Sequence, residues 1–257
     1  MTTVHEIASH LDSLLRTGEI TDYPSALNGI QVEHSHRITR VAAAVDARER
    51  TIQGAIDAGA NLLLVHHGLF WSGVRPLRGA MLRRIRALLA GNVAVYSSHL
   101  PLDAHPELGN AALLARELGL TPGAGFARVN GTDVGTRGET DIPTREIIER
   151  ADRFARQYGG SVRHSPAAPD RATRRWAICT GAGADANTLR EAAQLGVDTM
   201  IVGEGAHWTA IDAEEMGITL IYAGHYATET LGVRALAQLV SETYGIPWTF
   251  LDVPTGL

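Results

Sequence analysis

The chain has 257 residues, 45% of them apolar, a net charge of −5 and a single cysteine, Cys179. It can therefore bury a real core in one large domain or two small lobes, and it can form neither an internal disulfide nor an all-thiolate zinc site. All 23 basic residues are arginine, which excludes a Schiff base with pyridoxal phosphate and a Walker A lysine, and their scatter leaves no basic stripe for nucleic acid.

The start, MTTVHEIASHLDSLL, lacks the basic and then apolar run of a signal peptide. No stretch approaches the roughly 18 to 20 uncharged apolar residues of a membrane helix, so the expected location is the cytoplasm, with no membrane partner. Val41 to Val45 predicts a short strand, Glu49 to Gly59 has helical spacing with Ile52 and Ile56 on one face, and Asn61 to Val65 predicts a second strand. Continuous runs such as LLLV suit strands covered on both faces, which gives an α/β fold with a parallel sheet between helices.

The same unit recurs half a chain later. Setting Trp71 on Trp208 places Thr51 on Thr188, Gly59 on Gly196, Val65 on Val202 and Gly68 on Gly205, with two extra residues in the loop GAGAD. Beyond it, VAVYSSHLPLD sets against TLIYAGHYATE, so that His99 falls on His225 and Asp103 on Glu229. This is an internal duplication giving two related α/β lobes, 1–125 and 126–257, with the boundary in the glycine-rich stretch Thr121 to Thr140 and the last segment able to pack back on the first lobe.

In open α/β sheets function gathers at the carboxyl ends of strands. Three strands here end on candidate ligands: LLLV runs into His66 and His67, VAVYSS into His99 and Asp103, and TLIYAG into His225 and Glu229. Neighbouring strand residues point to opposite faces, but at a strand end where Gly68 lets the chain turn both rings can face one cavity. Imidazole and carboxylate together suit divalent zinc, iron, manganese, nickel or cobalt, whereas calcium and magnesium prefer oxygen. Three imidazoles and two carboxylates exceed the usual set for one catalytic ion and fit two ions with one carboxylate bridging, placed between the lobes.

Six further histidines, His5, His10, His34, His36, His164 and His207, are expected as hydrogen-bonded core residues. In TGAGADA, Gly181, Gly183 and Ala186 match the loose form of a dinucleotide loop, and Asp198 lies where a ribose-binding acid could; a tight strand-to-helix turn explains the glycines equally well, and the equivalent loop of the first repeat, AVDARE, has none. Asn28, Gly29 and Gln31 read as a turn into a strand, with a place near the site as the other use.

At NGIQV, LLLVHHGLFW, SHLPLDAHPELGNAALLARELG, IVGE and AGHYATETLGVRAL the chain resembles the Nif-three-like dinuclear-metal proteins, often labelled GTP cyclohydrolase 1 type 2, in their short form without an inserted domain. The resemblance spans nearly the whole chain. It implies that His66, His67, Asp103, His225 and Glu229 are the metal ligands with Glu229 bridging, that His99 is an extra ligand or proton carrier, and that the assembly is a homohexameric ring.

The function expected is a hydrolase with two divalent transition-metal ions per chain. An activated water would attack a carbon or phosphorus centre of a small substrate, nucleotides among the candidates, with His99 moving the proton. The other class of function is a non-catalytic metal-binding scaffold or metal-delivery protein, which would hold metal without turnover.

Overall fold

The apolar runs on either side of the first central helix are strands in the computed structural model, which describes residues 2–166 and 170–256. Two units make up the chain, one from residues 1–105 and 232–253, the other from 106–231 and 254–257.

The first unit begins with helix α1 (Val4–Leu14), strand β1 (Gly29–Val32), β2 (Val41–Asp46), α2 (Glu49–Asp57), β3 (Leu62–His67), α3 (Gly79–Gly91), β4 (Ala94–Ser97) and the single-turn α4 (Leu100–Asp103). Thr3 starts α1 through a reciprocal pair of hydrogen bonds with Glu6, which satisfies two amide groups that a bare helix end leaves open. Strands β2, β3 and β4 run parallel and are buried almost throughout, because α2 and α3 close one face over Ala42, Ala44, Leu63, Val65 and Val95.

The second unit holds α5 (Asn110–Glu117), β5 (Ala124–Val129), β6 (Thr132–Pro143), α6 (Thr144–Arg156), β7 (Arg163–His164), β8 (Ala172–Cys179), α7 (Ala186–Gln194), β9 (Thr199–Val202), α8 (His207–Glu215), β10 (Thr219–Tyr222) and the single-turn α9 (His225–Thr228). Helix α10 (Thr230–Tyr244) then leads to β11 (Trp248–Phe250), which pairs in parallel with β2 and completes the first sheet in the order β1-β4-β3-β2-β11. The second sheet has the order β5-β6-β8-β9-β10-β7.

Each sheet is mixed. Its central strands are parallel, as the continuous apolar runs require, while β1 and β7 lie antiparallel at matching edges. In the second sheet β5 and β6 form a hairpin turned by Asn130 and Gly131, both with positive φ, and it takes up most of the polar stretch Thr121 to Thr140.

The duplication persists at the level of single hydrogen bonds. Thr51 accepts the Arg48 N–H at 3.0 Å and donates to the Asp46 carbonyl at 2.7 Å; Thr188 accepts the Asp185 N–H at 3.0 Å and donates to the Gly183 carbonyl at 2.8 Å. Helices α2 and α7 both stop at a glycine with left-handed φ, Gly59 and Gly196, and the next amide in each case reaches back to a helix carbonyl at 2.9 Å. Beyond those helices the register differs from the sequence alignment. Ala94 pairs with Leu62 as Thr219 pairs with Thr199, so the ladder sets His99 against Gly224, and His225 comes one residue later. Both His99 and Gly224 stand just before a single-turn helix, and Gly224 has a φ of +94°, which a glycine adopts without strain. Among the described residues no helix is long and apolar enough to cross a membrane.

Candidate metal centre

In the first unit β3 delivers His66 and His67 at its carboxyl end, both buried, with ring centroids 4.8 Å apart. The turn that follows is fixed by Gln31 of β1, whose Oε1 accepts the Leu69 N–H at 2.7 Å while its amide donates to the carbonyls of Ala26 and Leu27. A Cβ at Gly68 would lie 2.1 Å from that Gln31 amide, so any larger residue there would push Gln31 out of these hydrogen bonds. Gln31 is thus part of the site's support and not merely the turn preferred from the sequence.

His99 joins these two rings at centroid distances of 4.8 Å from His66 and 5.6 Å from His67. Ligand atoms of the three histidines lie within 4.8 Å of one another, a grouping that could hold a metal ion. Asp103, one turn of α4 further on, brings Oδ2 to 3.5 Å from His66 Nε2. Trp71 caps the cluster, its ring 4.6 Å from that of His67 and 4.5 Å from that of His99.

Hydrogen bonds settle the tautomers. His66 Nδ1 lies 3.0 Å from the Ser98 carbonyl, an acceptor only, so Nδ1 carries a hydrogen and Nε2 is the atom turned toward the cluster. His67 Nδ1 is held at 3.0 Å by Asp46 Oδ1, and His99 Nδ1 at 2.9 Å by Asp22 Oδ1. Asp22 also accepts the Leu100 N–H and the Asn28 amide, and Asn28 in turn accepts the His99 N–H. Burial works to raise the Asp22 pKa, but the hydrogen bonds from His99, Asn28 and Leu100, with the charge of His99, carry it below the usual carboxylate value. Burial, with help from His66, pulls His99 below the ordinary imidazole value against the opposing pull of Asp22 and Asp103. At neutral pH the pair is therefore an aspartate beside a neutral imidazole.

In the second unit the strand ends converge on one histidine and two glutamates. His225 Nδ1 lies 2.8 Å from Glu204 Oε1, and His225 Nε2 lies 3.1 Å from Glu229 Oε2. Burial works to lower the His225 pKa, but the hydrogen bond and charge of Glu229, followed by those of Glu204, outweigh it and raise the value to about 9. Glu229 is buried and backs onto the GAGAD loop: a Cβ at Gly181, whose φ is +59°, would lie 2.1 Å from Glu229 Oε1. The glycines that resemble a dinucleotide loop are thus accounted for by the close approach of Glu229 and, at Gly183, of the Cys179 carbonyl. Asp198 is likewise occupied, accepting the N–H groups of Arg174 and Arg175.

The strand-end residues picked from the sequence therefore gather in two clusters, His66, His67, His99 and Asp103 in one unit and His225 with Glu229 in the other. Asp22, Asp46 and Glu204, the carboxylates that hold the rings, were not picked. Asp46 and Glu204 carried a signal, since each ends or follows a buried parallel strand; Asp22 carried none. His5, His10, His34, His36, His164 and His207 are not core residues as expected: none of these is buried, and the partners of two lie near the surface, Glu33 for His5 and the Tyr244 hydroxyl for His10.

A family model described as Duf34/NIF3 (NGG1p interacting factor 3) matches residues 2–255. A Halobacterium salinarum protein named "GTP cyclohydrolase 1 type 2 homolog" is 42% identical over 99% of both chains, and a Deinococcus radiodurans protein of the same name is 39% identical over 98% of this chain and 94% of its own. Among solved structures, a Thermus thermophilus protein superposes with a TM-score of 0.85 at 36% identity, covering 100% of both chains.

Proposed function

Because this chain belongs to the Duf34/NIF3 family, we propose that it is a hydrolase using two divalent transition-metal ions, held by His66, His67, Asp103, His225 and Glu229 with Glu229 shared, on a small nucleotide-like substrate. The observation that supports this most is the state of the rings. His66, His67, His99 and His225 each have Nδ1 tied to a carbonyl or carboxylate oxygen, which is how proteins orient imidazoles whose Nε2 is to meet a metal. The mixed nitrogen and oxygen donors suit zinc, iron, manganese, nickel or cobalt. Ions bound there supply Lewis acidity toward water and the reacting bond.

The chain's own residues supply the rest. His99, neutral and anchored through Nδ1, can accept a proton at Nε2, and the ionised Asp22 behind it stabilises the imidazolium that results. Asp22 thereby fixes which nitrogen takes the proton. Trp71 screens the cluster from bulk water on one side. A homohexamer and a cytoplasmic location belong to the same proposal; the exposed apolar side chains Trp71, Val74 and Leu77, and separately Trp208, Ile211 and Met216, are of the kind that assemblies cover, and light scattering checks it.

The test is a turnover screen of metal-loaded protein across GTP, other nucleotides, phosphoesters and amides. Hydrolysis by the wild type that falls in His99→Gln at unchanged metal content supports the proposal. A chain that retains both ions and turns over nothing across the panel is a metal-binding scaffold and refutes the hydrolase.

A further inference from the structure

The second unit contains a cavity of about 390 Å³ that opens beside Glu204, the carboxylate holding His225. Its size is at the lower end of what small-molecule sites use. Three tyrosines, Tyr158, Tyr222 and Tyr226, line it, and two of them extend an edge-to-face aromatic series, with Phe154 5.4 Å from Tyr158 and Tyr158 6.3 Å from Tyr226 between ring centroids. Such walls take flat rings, because a face or an edge of a ligand ring continues the same packing.

One cation faces this space. Arg163 of the edge strand β7 sits directly opposite Tyr222 of β10 in the ladder, and both line the cavity. Arg163 forms no ion pair with any other described residue. The carboxylate in the lining, Glu204, is already engaged by His225, so the guanidinium is the group left to meet a ligand charge. A guanidinium matches a single phosphate or carboxylate in a two-pronged geometry. The lining also includes Gly159 and Gly160, which leave room for a ligand to approach the backbone.

We propose that this cavity binds a planar heteroaromatic ring carrying one phosphate group, with the ring among Tyr158, Tyr222 and Tyr226 and the phosphate on Arg163. The inference rests on the hydrolase proposal for the identity of the site next door and narrows its substrate: a monophosphate fits one arginine, whereas the triphosphate in the relatives' name would place several negative charges against a single cation. Arg163 is here a specificity residue, distinct from the metal ligands.

The experiment uses the full-length, metal-loaded chain and calorimetric titration with GMP, AMP, guanosine, GTP and inorganic phosphate, with metal content measured on the same samples. GMP or AMP should bind at one per chain, more tightly than guanosine, inorganic phosphate or GTP. Arg163→Gln should weaken the monophosphate by about tenfold or more, the loss of one charge-assisted contact, while leaving guanosine binding and metal content as in the wild type. Because Arg163 is exposed on an edge strand, the variant should fold, and an unchanged unfolding midpoint confirms that it has. Metal-loaded protein that binds neither monophosphate, or Arg163→Gln that binds them as the wild type does, or GTP binding tighter than GMP, each overturns the assignment. A chain that carries no metal yet binds GMP through Arg163 would refute the hydrolase proposal and leave the cavity assignment standing.

Discussion

The two repeats use one scaffold for two electrostatic ends. In the first unit β3 finishes on His66 and His67; at the matched ladder positions after β9 the second has Gly203 and Glu204, and the amides of Ala47 and Ala184 donate to the carbonyls of His67 and Glu204 respectively. The first unit therefore gathers three rings, each with Nδ1 backed from behind by a carboxylate or carbonyl. The second puts one ring between two carboxylates, which carries His225 to about 9. A duplicated fold fixes where the strand ends lie, and the residue types placed there decide whether a cluster is rich in imidazole or in carboxylate.

The largest expected effect comes from Glu229→Gln, which keeps the shape and removes the buried charge that raises His225. It should release at least one ion, read by elemental analysis, and return His225 toward the ordinary imidazole value, read by NMR titration of the metal-free protein. Loss of neither would mean that the second cluster does not work through Glu229.

Asp22→Asn should come next. Where the aspartate accepts hydrogen bonds from His99, Asn28 and Leu100, an amide can no longer accept from all of them and can present its NH₂ to His99 instead, favouring the wrong ring tautomer. Because His99 carries the proton and is not a proposed ligand, the loss should fall on turnover, by about 100-fold or more, with metal content kept. Equal turnover in Asp22→Asn and wild type, on a substrate the wild type hydrolyses, would remove Asp22 from the machinery.

A smaller effect separates the units by pH. Since folding raises His225 from its ordinary 6.5 to about 9, its contribution to the stability of the metal-free protein is fully present below about pH 6.5 and is lost as pH rises through about 9. The unfolding midpoint of metal-free protein should fall across that window, and the fall should be shallower in Glu229→Gln. The smallest expected effect is none: His164, on the surface and bonded to the Ser165 carbonyl, should be replaceable by alanine with no change in metal content.

Much of this arrangement was legible in the sequence because it depends on local pattern. Buried parallel strands announce themselves as unbroken apolar runs, and a histidine after such a run is positioned by the strand itself, which is why His66, His67, His99 and His225 could be picked out. What depended on chain closure was not legible. Asp22 reaches His99 from a loop 77 residues earlier, and no periodicity marks it. The one-residue offset at Gly224 is also invisible in an alignment that matches histidine to histidine, because only the ladder shows where the strand stops. The glycines of the GAGAD loop were ambiguous for a related reason: a glycine that admits a phosphate and one that admits Glu229 look the same in a sequence.

The measurement that bears most directly on the centre is the metal content of the full-length chain after reloading with a transition metal and washing. Two ions per chain are expected, falling toward one or none in Glu229→Gln and unchanged in His164→Ala. A reproducible value of zero in the reloaded wild type, with the protein folded, would contradict the assignment of His66, His67, Asp103, His225 and Glu229 as metal ligands.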